Sequence, residues 1–72
     1  MRFVFIDPDF EKIVNVDYED EANEAVIAFR SSVWRQGYDS EKQMRQYDSW
    51  AVYSENSNKA LDYLGQVKDY DN

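Results

Sequence analysis

The sequence contains neither cysteine nor histidine among its 72 residues. Disulfides are therefore excluded. A site for zinc, copper or iron, built on thiolate or imidazole, has no donors. General acid–base catalysis at neutral pH loses its commonest side chain as well. Glycine occurs only as Gly37 and Gly65, too far apart for a phosphate-cradling loop, and no G-x-S-x-G elbow is present. The only proline is Pro8, in Asp7-Pro8-Asp9, which cuts short the apolar run Phe3-Val4-Phe5-Ile6 before it can serve as a secretory h-region. No apolar stretch reaches membrane-spanning length. These absences predict a soluble, cytoplasmic protein that is not an enzyme, has no cofactor or metal, and makes no membrane contact.

Acid and aromatic side chains are plentiful. Fifteen Asp and Glu against eight Lys and Arg give a net charge of −7, and the aromatics comprise six Tyr, four Phe and two Trp. Such a surface repels nucleic acid and anionic lipid and attracts basic partners. A domain of this size buries only about 60% of the surface its unfolded chain exposes. Without disulfides or a metal, it must rely on aromatic packing or self-association, so a homodimer is expected.

Along the chain, Phe3–Ile6 and Lys12–Val16 read as two strands of a hairpin around residues 7–11. From Asp17 to Arg35 the period becomes helical: Ala22, Ala25, Val26, Phe29 and Val33 share one side, and Gly37 makes a natural stop. Ser40-Glu41-Lys42-Gln43 has capping-box form and opens a short optional helix to about Tyr47. Trp50–Tyr53 reads as a third strand, with Trp50 and Val52 on one face and Ala51 and Tyr53 on the other. Ala60, Leu61, Leu64 and Val67 then fit one stripe of a last helix from about Asn58 to Asp69, in which Gly65 costs roughly 1 kcal/mol. The expectation is a single α+β domain over residues 1–72. It has about three antiparallel strands and two main helices on one face, in the order β-β-α-(short α)-β-α.

Two runs of alternating acids, Asp7-x-Asp9-x-Glu11 and Asp17-x-Glu19-x-Glu21, invite comparison with a calcium loop. They place Lys12 and Ala22 where its glycine belongs and Tyr18 and Ala28 where its glutamate belongs, so both fail. A carboxylate pair for glycoside hydrolysis needs a cleft that so short a chain has little material to build.

On a wheel that starts at Asp17 and advances by about 100° per residue, the apolar stripe centres near about 135°. Asp17, Asp20, Glu21 and Glu24 centre near about 345°, almost opposite, and so predict a ridge of carboxylates facing water. Between residues 7 and 24 there are eight acids and, of basic residues, Lys12 alone. Acidic residues at a helix start are expected for solvation and dipole reasons alone. Closely spaced carboxylates can also imitate phosphates. Five of the six tyrosines stand beside an aspartate, as in Asp17-Tyr18 and Asp69-Tyr70-Asp71, an arrangement that suits Arg-rich partners. Ile27 and Trp34 fall outside the apolar stripe and either pack under the third strand or form an exposed patch. Together with Tyr63 and Tyr70, which flank the last helical stripe, they are the candidates for a dimer seam.

The acidic ridge Asp17, Asp20, Glu21 and Glu24, the small size and the lack of catalytic residues resemble small phage-encoded inhibitors that mimic DNA. The resemblance covers composition and one helix, and that loose class shares no fold. It implies a noncatalytic inhibitor in the host cytoplasm that occupies the nucleic-acid site of a basic host protein. The targets of the class are nucleoid proteins, restriction enzymes, repair glycosylases and CRISPR effectors. Tyr18 and Trp34 would add contact area to the acids. The alternative is a structural or accessory subunit docking through the Ile27 and Trp34 patch.

Overall fold

β-Branched and aromatic residues on either side of Asp7-Pro8-Asp9 fold back on one another as β1 (Arg2–Ile6) and β2 (Ile13–Val16), antiparallel with Phe3 opposite Val16 and Phe5 opposite Val14. The computed structural model describes residues 1–17, 19–34 and 45–70. The turn between the strands is closed by the Phe10 amide donating to the Asp7 carbonyl at 2.8 Å and by the Asp9 amide donating to Asp7 Oδ1 at 3.0 Å. The chain then forms α1 (Ala22–Trp34), whose first bond runs from the Ala25 amide to the Glu21 carbonyl. Strand β3 (Ala51–Glu55) returns antiparallel to β1 on the side away from β2.

The chain ends differently from the expectation. In place of a helix over 58–69 there is a fourth strand, β4 (Leu61–Gln66), then a 3₁₀ turn, Val67–Tyr70. The sheet therefore has four antiparallel strands in the order β2-β1-β3-β4, and α1 is the one main helix among the described residues. Asn56 decides the outcome locally. Its Oδ1 accepts from the amides of Asn58 and Ala60, its carbonyl accepts from Lys59, and its amide donates to the Ala60 carbonyl. These bonds close a hairpin where a helix would have begun. The three-residue spacing of the inward Leu64 and Val67 comes from a bulge in β4, where Val52 opposes Gly65 but Tyr53 opposes Tyr63, while Leu61 lies on the other face. The extra residue, Leu64, packs against the core, as does Val67 beyond the strand end. Of the short optional helix, residues 40–44 lie outside the described residues, as does Gly37, and Arg45–Tyr47 is a single 3₁₀ turn.

The core lies between α1 and one face of the sheet. Ala25, Val26, Phe29 and Val33 descend from the helix onto Phe3, Phe5 and Val52, with Tyr47, Trp50 and Val67 closing one end. Phe29 is the hub: it stacks on Phe5 at 4.3 Å between ring centroids, meets Tyr47 edge-on at 5.6 Å and touches Trp50 at 5.4 Å. Arg30 Nη2 donates to Asp48 Oδ1 at 2.9 Å and ties the helix to the turn before β3.

Both hairpins share one device. Each opens on Asp or Asn, turns over two residues and places a non-glycine residue in the left-handed region, Phe10 at φ 58° and Lys59 at φ 65°. That conformation costs an L-residue roughly 1–2 kcal/mol. Phe10 is also 79% exposed, so no packing offsets its strain. Phe10→Gly and Lys59→Gly are each expected to raise stability by roughly 0.5–1 kcal/mol, after allowing for glycine's looser unfolded chain. Urea unfolding measures this; an unchanged or lower midpoint for both variants contradicts the assignment.

Candidate interaction surface

The helix register separates the four acids expected to form one ridge. Asp17 is not helical. It follows β2 and accepts from Arg2 Nε at 2.7 Å, so this carboxylate is engaged by the chain's own guanidinium. Asp20 and Glu21 precede α1, and only Glu24 lies within it. A wheel begun at Asp17 set three residues that precede the helix, Asp17, Asp20 and Glu21, on a helical face, and the continuous ridge disappears with them. What remains is a cluster at the helix start. Asp20, Glu21 and Glu24 are all exposed, and among the described residues none of them makes an ion pair. The partial positive charge of the unpaired first-turn amides favours acids here by about 0.3–1 kcal/mol each.

Ile27 and Trp34 do not pack under β3. Both project from the outer side of α1, 64% and 47% exposed, seven residues apart and so two turns apart on one side. Glu24 precedes Ile27 by three residues, which places an acid and two apolar side chains along the same outer strip. Tyr18 lies outside the described residues.

The four residues expected to form a dimer seam are likewise divided. Tyr63 stands on β4, on the sheet face away from α1, where its ring meets Tyr53 at 5.5 Å. Tyr70 is half-buried in the closing 3₁₀ turn and donates its hydroxyl to the Leu64 carbonyl at 2.8 Å. Ile27 and Trp34 face the opposite side of the molecule. No single surface holds all four. The Tyr–Asp pairs serve separate ends too: Tyr47 is buried in the core while its neighbour Asp48 holds Arg30.

Sequence reasoning passed over the sheet face turned away from the helix. Val4, Ile6, Ile13, Tyr53 and Tyr63 point to it, because their neighbours along the chain, Phe5, Val14, Val52 and Leu64, take the helix side. Val4 is buried yet stands outside the cluster beneath α1. Ile13 and Tyr63 are 63% and 62% exposed. The alternation Ile13-Val14-Asn15-Val16 carried a signal for two faces, but both were apolar at one position.

Two shallow depressions lie among the described residues. One, of about 410 Å³, lies beside the first hairpin between Asp7, Asp9, Lys12, Tyr47 and Trp50. The other, of about 470 Å³, is lined by Arg2, Asp17, Glu55 and Lys59. Among the described residues no three acids are grouped to hold a metal ion, and no helix is long and apolar enough to cross a membrane. Comparison with protein-family models, with curated proteins and with solved structures finds no match to the chain.

Proposed function

We propose that this chain is a noncatalytic binding module whose carboxylates at the start of α1 engage a basic nucleic-acid-binding protein where that protein holds phosphates. The observation that carries the reading is the group Asp20, Glu21 and Glu24: exposed, free of ion pairs among the described residues, and set at the start of one helix anchored by Phe29. Asp17 contributes less than the sequence implied, since Arg2 already holds it. Nucleoid, restriction, repair and CRISPR effector proteins are the partner classes with a basic groove of the required kind.

The test uses the immobilised protein to capture basic proteins from a bacterial lysate at low salt. The triple variant Asp20→Ser, Glu21→Gln, Glu24→Gln is expected to lose capture at least tenfold. Its stability falls by no more than about 1–3 kcal/mol from lost dipole interactions. Capture that survives the triple substitution contradicts the reading.

The second reading, an accessory subunit docking through Ile27 and Trp34, is favoured by their exposure on one outer strip of α1. It expects Ile27→Ser with Trp34→Ser to abolish capture and high salt to leave it intact, because apolar contacts are not screened.

A further inference from the structure

We propose that the sheet face turned away from α1 is a self-association surface, on which a second copy of this chain packs sheet against sheet. Antiparallel sheets with one solvated face ordinarily alternate apolar inward and polar outward. Here the outward side chains include Ile6, Ile13, Ala51, Tyr53, Leu61 and Tyr63, and Ile13, Leu61 and Tyr63 are 63%, 42% and 62% exposed. In a chain whose residues are 32% charged, this composition sets the face apart from the remaining surface.

Charge selects the occupant. The chain carries −7 overall, which draws basic partners to the helix start and repels nucleic acid and anionic lipid. The outward sheet face is balanced instead. Its charged end groups Arg2 and Lys59 with Asp17 and Glu55 around one depression, two cations against two anions. A basic partner finds no net attraction there. Arg2 and Asp17 already pair within each copy, and a second copy related by a two-fold axis sets Lys59 of one against Glu55 of the other. Four strands about 4.8 Å apart and about 17 Å long give a footprint of roughly 300 Å² per copy. That is below the roughly 800 Å² per partner of a standard interface, so the dimer is a reversible one.

The two copies still repel through the rest of their surfaces, and this gives the dimer a signature. Added salt screens that repulsion while leaving apolar contact intact, so self-association strengthens with ionic strength. Binding of a basic partner by the acids of α1 has the opposite dependence, which keeps failure of either idea distinguishable from failure of the other. Sedimentation equilibrium of the whole chain, from about 10 µM to about 1 mM at low and high salt, is the experiment. The wild type is expected to pass from one chain mass to two, at severalfold lower concentration in high salt. Ile13→Lys and Tyr63→Lys, both at exposed positions, are expected to remain monomeric throughout with an unchanged far-UV circular dichroism spectrum. Trp34→Lys, on the far side of α1, is expected to dimerise as the wild type does. A wild type that stays monomeric at about 1 mM in high salt overturns the proposal. So do a dimer that Trp34→Lys disrupts, and one that neither Ile13→Lys nor Tyr63→Lys weakens, as in edge-to-edge strand pairing.

Discussion

Phe29→Ala is expected to destabilise the domain by about 3–5 kcal/mol, the cost of deleting a buried ring and leaving a cavity. The residue is fully buried, and its ring contacts reach β1, the turn before β3 and β3's entry residue through Phe5, Tyr47 and Trp50. Removing it therefore detaches the helix from several elements at once. A chain of 72 residues, at 0.05–0.15 kcal/mol per residue, has a total stability of roughly 4–11 kcal/mol. The substitution takes a large part of that, and a lowered urea midpoint with loss of near-ultraviolet dichroism measures it. Trp34→Ala is the matched control. It removes a larger aromatic from the same helix, but one that is 47% exposed, and should change stability by less than about 1 kcal/mol. Similar losses at the two positions contradict the packing described.

Gly65→Ala should be nearly as damaging, for a backbone reason. Gly65 has φ 118°, a conformation that residues with a Cβ rarely adopt. A Cβ there would also lie 2.8 Å from Asp69 Oδ2, the atom that accepts the Gln66 amide at 2.8 Å and holds the closing turn. Strain of about 1–3 kcal/mol and a weakened hydrogen bond of about 1 kcal/mol add to roughly 2–4 kcal/mol. At about 4–8 °C per kcal/mol for a domain of this size, melting falls by more than about 8 °C. Were residues 58–69 helical, alanine at this place would instead stabilise by about 1 kcal/mol. The sign of the effect thus separates β4 from the helix that hydrophobic spacing suggests.

That contrast also shows what was legible in the residues. The first hairpin, α1 and β3 announce themselves because in each the apolar period matches the burial imposed by a single partner surface. Ala25, Val26, Phe29 and Val33 are the buried helix face, and Trp50 and Val52 point to the core as alternation requires. β4 was hidden because its bulge sets the inward Leu64 and Val67 three residues apart, while Leu61, three residues before, faces the other way. The available signals were the turn-forming run Asn56-Ser57-Asn58 and an isolated glycine, which marks a bulge in a strand more readily than it suits a helix interior. The site was legible as composition but not as geometry. Asp17, Asp20, Glu21 and Glu24 are close in sequence, yet the helix begins at Ala22 and Asp17 turns to Arg2 on the neighbouring strand. The Ile27 and Trp34 strip was visible on the wheel; its exposure depends on the sheet covering only the opposite side of α1, which no local pattern encodes.

The proposed binding role depends on Asp20, Glu21 and Glu24 acting together as outward negative charge on a stable platform. A core built on Phe29 supplies the platform, and the lack of ion pairs at these three among the described residues leaves their charge uncompensated by side chains. Because the partner's groove would hold phosphates, duplex DNA is the natural competitor. The most direct measurement is displacement of the captured partner from the immobilised protein by increasing duplex DNA at fixed low salt. Release that follows DNA concentration, with no capture by the Asp20, Glu21, Glu24 triple variant, is the predicted result. A partner that binds DNA and this protein at the same time, or stays bound whatever the DNA concentration, contradicts it.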